Sequence, residues 1–332
     1  MKRRSHAFTA VSVVVGLILF VYLVKQVGLG EIYARVRALG GGFILIITLS
    51  AIRPAARSWA WLRAMAPHER GVGFSTVWCA RLVGDAMGNL TTAGPLIAEP
   101  FRLRALNGKL PLAAGVSSLT VETLTYAISS CVMVMAGTLL LLTTFTVSDS
   151  LQVVSRVTLG SVLLVIVAAV VVVTKRWFLL SGLGIRVARL LHFNTRLEHK
   201  IEYLATLEKY IFDFYARRPA DFFIVALCEV SFHLAGIAET YATLYLIESN
   251  PTLQAAFILE AINRAINMVF NFIPARLGVD EAGSGLLAQT LGLGAGTGVS
   301  LAIVRKVRVF FWSALGLLLF AGLERICARA QS

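Results

Sequence analysis

The chain has 332 residues, of which 57% are hydrophobic and only 15% charged, with a mean hydropathy of +0.77. Soluble domains carry roughly 25% charged residues, so the excess apolar surface needs lipid and a soluble enzyme is excluded. The formal charge of +13 sits between apolar spans with no nucleic-acid motif, which points to positive-inside topology and to no nucleic-acid partner.

In chain order, the apolar run from Ala7 to Val24 follows Lys2, Arg3 and Arg4. No small-residue cleavage site succeeds it, so it reads as an uncleaved first helix. Trp59 and Trp61, beside Arg57 and Arg63, are expected to anchor a helix at the membrane interface, as is Trp177. The segment from Phe74 to Leu106 is apolar but is interrupted by Gly84, Gly88, Gly94, Pro95 and Pro100. Irregular backbone at membrane depth is tolerated only beside protein or a water-filled cavity, so this segment reads as a broken or re-entrant helix pair.

A span containing Glu122 follows, and then the run from Val157 to Thr174. The stretch from Lys175 to Arg218 alternates charges with apolar residues and reads as amphipathic helices on the cytoplasmic surface. Next come a span with Glu229, His233 and Glu239, and a second broken segment from Leu253 to Val299 with Pro274, Gly278, Gly283 and Gly285. The run from Val309 to Leu323 is the last span.

The expected fold is an all-α polytopic membrane protein of about six full transmembrane helices plus two broken or re-entrant pairs. Its divisions are a first membrane half at 1–174, a cytoplasmic amphipathic linker at 175–218 and a second membrane half at 219–332. Counting basic residues puts both termini, the turn from Arg63 to Arg70 and the linker in the cytoplasm, with Asp149 and Glu248 opposite. The halves are also similar in spacing: Glu99 to Glu122 is 122 − 99 = 23 and Glu281 to Arg305 is 305 − 281 = 24. That arrangement is compatible with an inverted repeat, in which transporters hold substrate at interrupted helices near the midplane.

Ionisable groups inside spans cost about 2.5 to 3.5 kcal/mol on insertion scales, so they mark a cavity or one another. Glu122 lies among Ser117, Ser118, Thr120, Thr123, Thr125 and Tyr126 with no local countercharge. It either lines a polar path or sits as a neutral acid bonded to those hydroxyls. Arg81 and Asp85, Glu260 and Arg264, and Glu229 and His233 are each spaced to pair one helical turn apart. Arg102, Arg104 and Lys109 form a cluster suited to a phosphate headgroup or to ordinary snorkelling. Arg276, Asp280 and Glu281 surround the second break, and Arg305, Lys306 and Arg308 open the last helix. Those three cations imply acids at the break, a lipid phosphate or positive-inside flanking. The candidate substrate-path residues are therefore Glu99, Arg102, Glu122, Arg264, Asp280, Glu281, Arg305 and Arg308. Cys79, Cys131, Cys228 and Cys327 have no metal-like spacing, and no nucleotide loop or hydrolase motif is present, so no metal, cofactor or catalytic residue is expected.

The segments ARLVGDAMGNLTTAGPLIAEPFRLRAL, SSLTVETLTYAIS, FIPARLGVDEAGSGLLAQTLGL and AIVRKVRVFFWSALGLLLF resemble the bacterial flippase-like family related to the transmembrane region of lysylphosphatidylglycerol synthase. Within it, the chain looks most like the membrane proteins associated with hopanoid biosynthesis. The resemblance implies an inner-membrane protein that moves or handles a lipid. It lays the family's first glycine–acid element on Gly94 and Glu99, its helix acid on Glu122, its Pro-x-x-x-Gly-x-x-Glu element on Pro274, Gly278 and Glu281, and its basic residue on Arg305 or Lys306. Gly94 and Glu99 stand further apart than is usual for the family. Thr123 also replaces the usual partner after the helix glutamate. The related synthases carry a soluble transferase domain, whereas this sequence stops at Ser332, so synthase activity is not expected.

The leading expectation is a lipid translocator or lipid carrier that is not itself an enzyme, with an anionic or polar headgroup as its partner. A non-transporting scaffold for lipid-synthesis enzymes, acting through the segment from Lys175 to Arg218, is the alternative. An intramembrane headgroup enzyme is the least favoured.

Overall fold

The computed structural model describes residues 29–91, 94–106, 108–176, 196–247, 251–270, 273, 276 and 278–329, with isolated positions at 18, 21 and 25. The described residues are helical and contain no strand. In order they are α1 (Leu29–Leu39), α2 (Gly42–Ala64), a 3-10 turn (Pro67–Val72), α3 (Phe74–Leu90), α4 (Gly94–Ala105), α5 (Leu112–Thr144), α6 (Asp149–Lys175), α7 (Arg196–Arg217), α8 (Pro219–Leu246), α9 (Leu253–Val269), α10 (Val279–Thr290) and α11 (Ala295–Arg329). The expected first span, Trp177, Glu248 and Pro274 lie outside the described residues.

Among the described residues four helices, α2, α5, α6 and α8, are long and apolar enough to cross a membrane. Helix α11 has 35 residues, long enough at 1.5 Å per residue to pass a ~30 Å hydrocarbon core, but Arg305, Lys306 and Arg308 lie within it. Helix α6 presents Val153, Val154, Leu164 and Val165 outward, all exposed. A large apolar face without a protein partner is what lipid covers. The chain is an all-α polytopic membrane protein.

Both broken segments are present, and their breaks fall at fewer places than the glycines and prolines suggest. Helix α3 runs unbroken through Gly84 and Gly88, α10 runs through Gly283 and Gly285, and Pro100 lies inside α4. The glycines serve close packing instead. A Cβ on Gly84 would lie 2.2 Å from Arg102 Cγ and 2.7 Å from the Ala98 carbonyl, and one on Gly88 would lie 3.2 Å from the Gly94 carbonyl. The chain therefore doubles back, with α4 antiparallel on α3. Gly283 similarly admits Ile266 of α9, and Gly298 of α11 lies against the Ser284 carbonyl of α10.

The packing relates the two halves by an approximate exchange. Helix α2 lies along α8, α3 of the first half packs on α11 of the second, and α9 of the second packs on α5 of the first. Each broken pair is thus seated on the long helix of the other half. Gly137 on α5 and Gly316 on α11 make the two seats, since a Cβ there would lie 2.2 Å from Ala261 of α9 and 2.3 Å from the Leu82 carbonyl of α3.

At one end of the bundle the last carbonyls of α2 would be orphaned. Arg218 donates to the carbonyls of Arg63, Ala64 and Met65 at 2.9, 3.2 and 2.7 Å, and Arg70 donates to that of Arg63 at 3.0 Å. Asp221 accepts from Arg70 at 2.6 Å and from Arg218 at 2.8 Å. The Arg63 to Arg70 turn and the end of the linker therefore share one side, as the charge count expects. Helix α7 lies against α5 and α8, burying Leu207, Ile211 and Phe214 with Ala60, Val121 and Val225. Its Tyr210 hydroxyl donates to the Ala64 carbonyl at 2.8 Å.

Candidate functional site

A cavity of about 380 Å³ opens where the two broken pairs meet α2, α5, α8 and α11. The first pair supplies Thr91, Gly94, Glu99 and Arg102, and the second supplies Asn263, Arg264, Asn267 and Arg276. Eight cations line it: Arg53, Arg57, Arg102, Arg264, Arg276, Arg305, Lys306 and Arg308. Among the described residues three acids do so, Asp85, Glu99 and Asp280, so the wall is strongly positive.

Further acids stand behind the cations and hold them. Glu260 on α9 accepts from Arg264 at 2.6 Å and from Arg305 at 3.1 Å, and Arg53 lies 3.7 Å away. Thr240 completes this knot, donating to Glu260 at 3.2 Å and accepting from Arg305 at 3.0 Å. Gly236 makes room for it, since a Cβ there would lie 2.6 Å from Glu260 Oε1. Glu239 on α8 binds Arg308 and accepts from Arg53 at 3.3 Å. Glu281 accepts from Lys306 at 2.5 Å, and Arg276 pairs with Asp280 at 3.2 Å. Several guanidiniums also lie over rings: Arg53 and Arg264 are 4.8 and 4.7 Å from the Phe232 centroid, and Arg57 is 3.8 Å from that of Tyr126. Such stacking holds cations at geometries that a flexible ion pair alone would not fix.

Glu122 is not a neutral acid among hydroxyls. It is fully buried between two guanidiniums, Arg57 at 2.7 Å and Arg81 at 3.0 Å. Of the hydroxyls around it, Ser118 and Thr125 turn back to their own helix, to the Ala114 and Val121 carbonyls, each bond being shorter than 3 Å. Arg81 and Asp85 do not pair with each other either: Asp85 accepts from Arg102 of α4 at 2.5 Å. Helical spacing permitted the local pair, but the doubled-back α4 and the crossing α5 offer better-placed partners.

The pair of Glu229 and His233 also fails to form. His233 Nε2 bonds Ser129 at 3.1 Å, and neither oxygen of Glu229 has a hydrogen-bond partner among the described residues. Trp61 is no interfacial anchor, being fully buried with Nε1 donating to Ser118 at 3.2 Å, whereas Trp59 is 40% exposed. The cluster of Arg102, Arg104 and Lys109 divides, because Arg102 is buried in the cavity wall and Lys109 is exposed on the following turn.

Of the candidate path residues, Glu99, Arg102, Arg264, Asp280, Arg305 and Arg308 line the cavity, and Glu122 and Glu281 hold cations that do. Glu99 makes no ion pair within 4 Å among the described residues. Arg53 and Arg57 line the cavity and Glu239 holds Arg53 and Arg308, although none of the three is among the candidates that the sequence offers. The available signal was their position: both arginines lie inside a 23-residue apolar helix, one turn apart and flanking Pro54. Among the described residues no group of three or more His, Cys, Asp or Glu could hold a metal.

Several guanidinium N–H groups remain without a partner among the described residues although buried, namely Nε of Arg102, Nε of Arg264 and Nη1 of Arg305. All three residues line the cavity, where their positive charge suits an anionic group.

This is a polytopic membrane protein with a cation-lined cavity between two interrupted helix pairs. The chain belongs to the family of the lysylphosphatidylglycerol synthase transmembrane region, whose model matches residues 9–316. No curated protein and no solved structure matches it. Membership ties the chain to membrane lipids.

Proposed function

We propose that the chain is a lipid translocator or carrier that takes an anionic or polar headgroup into the cavity, and that it is not an enzyme. The carrying observation is the wall itself, in which among the described residues eight cations stand against three acids at interrupted helices. Transporters place substrate at such interruptions because freed backbone and charge are tolerable only beside a wet cavity. The likeness of the motifs to hopanoid-associated proteins supports a role in hopanoid or modified-phospholipid metabolism, in a bacterial inner membrane with both termini cytoplasmic. The test is headgroup accessibility in liposomes containing the purified protein and a labelled anionic phospholipid. Protein-dependent exchange that slows in Arg264→Gln is expected. Exchange absent with anionic and zwitterionic lipids alike would overturn the proposal.

A scaffold for lipid-synthesis enzymes is the second reading. It is favoured by α7, which is docked by its apolar face and leaves Arg217 exposed at the surface. Replacing the exposed charges of α7 would then abolish function while the cavity arginines proved dispensable.

A further inference from the structure

Among the described residues, one buried acid has no partner in the ion-pair network. Glu229 on α8 is 1% exposed, and neither of its carboxylate oxygens finds a hydrogen-bond donor among the described residues. An ionised carboxylate in that state is among the costliest groups to bury, whereas the protonated acid carries no net charge. The charged and titratable groups that face it come from every neighbouring element: Arg57 of α2, Arg81 of α3, Glu122 of α5, Tyr215 of α7 and Arg264 of α9, with Cys228 and His233 on its own helix. Helix α11 instead presents Arg308 to Glu239, further along α8.

Arg57 connects this acid to the cavity. It lines the wall, holds Glu122 at 2.7 Å and is one of the cations around Glu229. Glu122 keeps a second partner, Arg81 at 3.0 Å, so Arg57 can turn away without stranding it. We infer that Glu229 is a proton-binding site that couples lipid movement to a proton gradient, Arg57 staying on Glu122 while Glu229 is protonated and swinging toward Glu229 when the proton leaves. This rests on the lipid-translocation reading above. The proton comes from water and returns to water, and no other bond changes.

The experiment uses the full chain in proteoliposomes with a labelled anionic phospholipid and an imposed pH difference. One proton per lipid permits up to about tenfold accumulation in one leaflet for each pH unit, because 1.36 kcal/mol is a factor of ten. The wild type should accumulate label and reverse when the gradient is reversed. Glu229→Gln, which mimics the protonated form, should still exchange lipid but accumulate none, and Glu229→Asp should recover accumulation. Accumulation by Glu229→Gln equal to the wild type overturns the coupling. Exchange absent from the wild type overturns the lipid reading, and infrared difference spectra then decide the proton site alone. A protonated-carboxyl carbonyl band that disappears in Glu229→Gln supports it, and the absence of such a band in the wild type overturns it.

Discussion

Arg305 on α11 donates to Glu260 on α9 at 3.1 Å, and the other half holds the same relationship with the signs exchanged. There Arg81 on α3 meets Glu122 on α5 at 3.0 Å. A second exchange accompanies it, Arg57 of α2 with Glu122 and Glu239 of α8 with Arg308. In each half the long helix thus answers both the preceding span and a broken helix, with acid in one half and base in the other. The exchanged charges let α2 and α8 bring the halves together as opposites, Arg53 of α2 reaching Glu239 and Glu260.

Glu260 compensates three guanidiniums, Arg53, Arg264 and Arg305, so Glu260→Gln leaves them facing one another. Removing one partner of a buried pair costs about 3 to 5 kcal/mol. Thermal unfolding in detergent should show a large fall in midpoint, partly restored when Arg305→Met is added, since the two residues share one network. A midpoint unchanged in the single variant contradicts the knot.

Gly84→Ala should destabilise by about 1 to 3 kcal/mol, the usual cost of overpacking. Its Cβ meets the Ala98 carbonyl at 2.7 Å, and a backbone atom has nowhere to go. Gly160→Ala on α6 meets nothing within 4 Å and should be neutral or stabilising by up to about 1 kcal/mol through helix propensity. Equal midpoints for the two variants would mean that α4 does not lie against α3.

The helical breaks were legible because Gly94–Pro95 and the segment from Ile273 to Gly278 punctuate otherwise apolar runs. The spacing of Glu260 and Arg264 also gave their pair directly. What the sequence hid was choice among partners. Arg81 and Asp85 have the same spacing as Glu260 and Arg264, yet each leaves the other for a residue brought by a different helix. No one-dimensional pattern ranks a local partner against a tertiary one. Arg57 was obscured by its neighbours: beside Trp59, Trp61 and Arg63 it reads as an interfacial flank, whereas the helix turns it and Arg53 inward and leaves Trp59 outside.

That difference between the tryptophans is measurable. In variants that keep a single tryptophan, brominated lipid should quench Trp59, which is 40% exposed on the helix surface, and leave Trp61, fully buried against Ser118, largely unquenched. Equal quenching would place Trp61 at the interface that its sequence neighbours first suggested.

Lys306 and Glu281 test whether the second broken pair is held by charge or by packing. The ammonium is 3% exposed and lies 2.5 Å from the carboxylate, tying the start of α10 to α11. Lys306→Glu sets two acids against each other and leaves the cavity wall one cation poorer, so both stability and lipid exchange should fall. Adding Glu281→Lys restores the attraction with the charges reversed, but it moves the cation off α11. Stability should therefore recover in the double variant while exchange recovers less, because the ion pair depends only on opposite signs and the wall depends on where the positive charge sits. Full recovery of exchange would show that Lys306 serves the cavity only through its hold on Glu281.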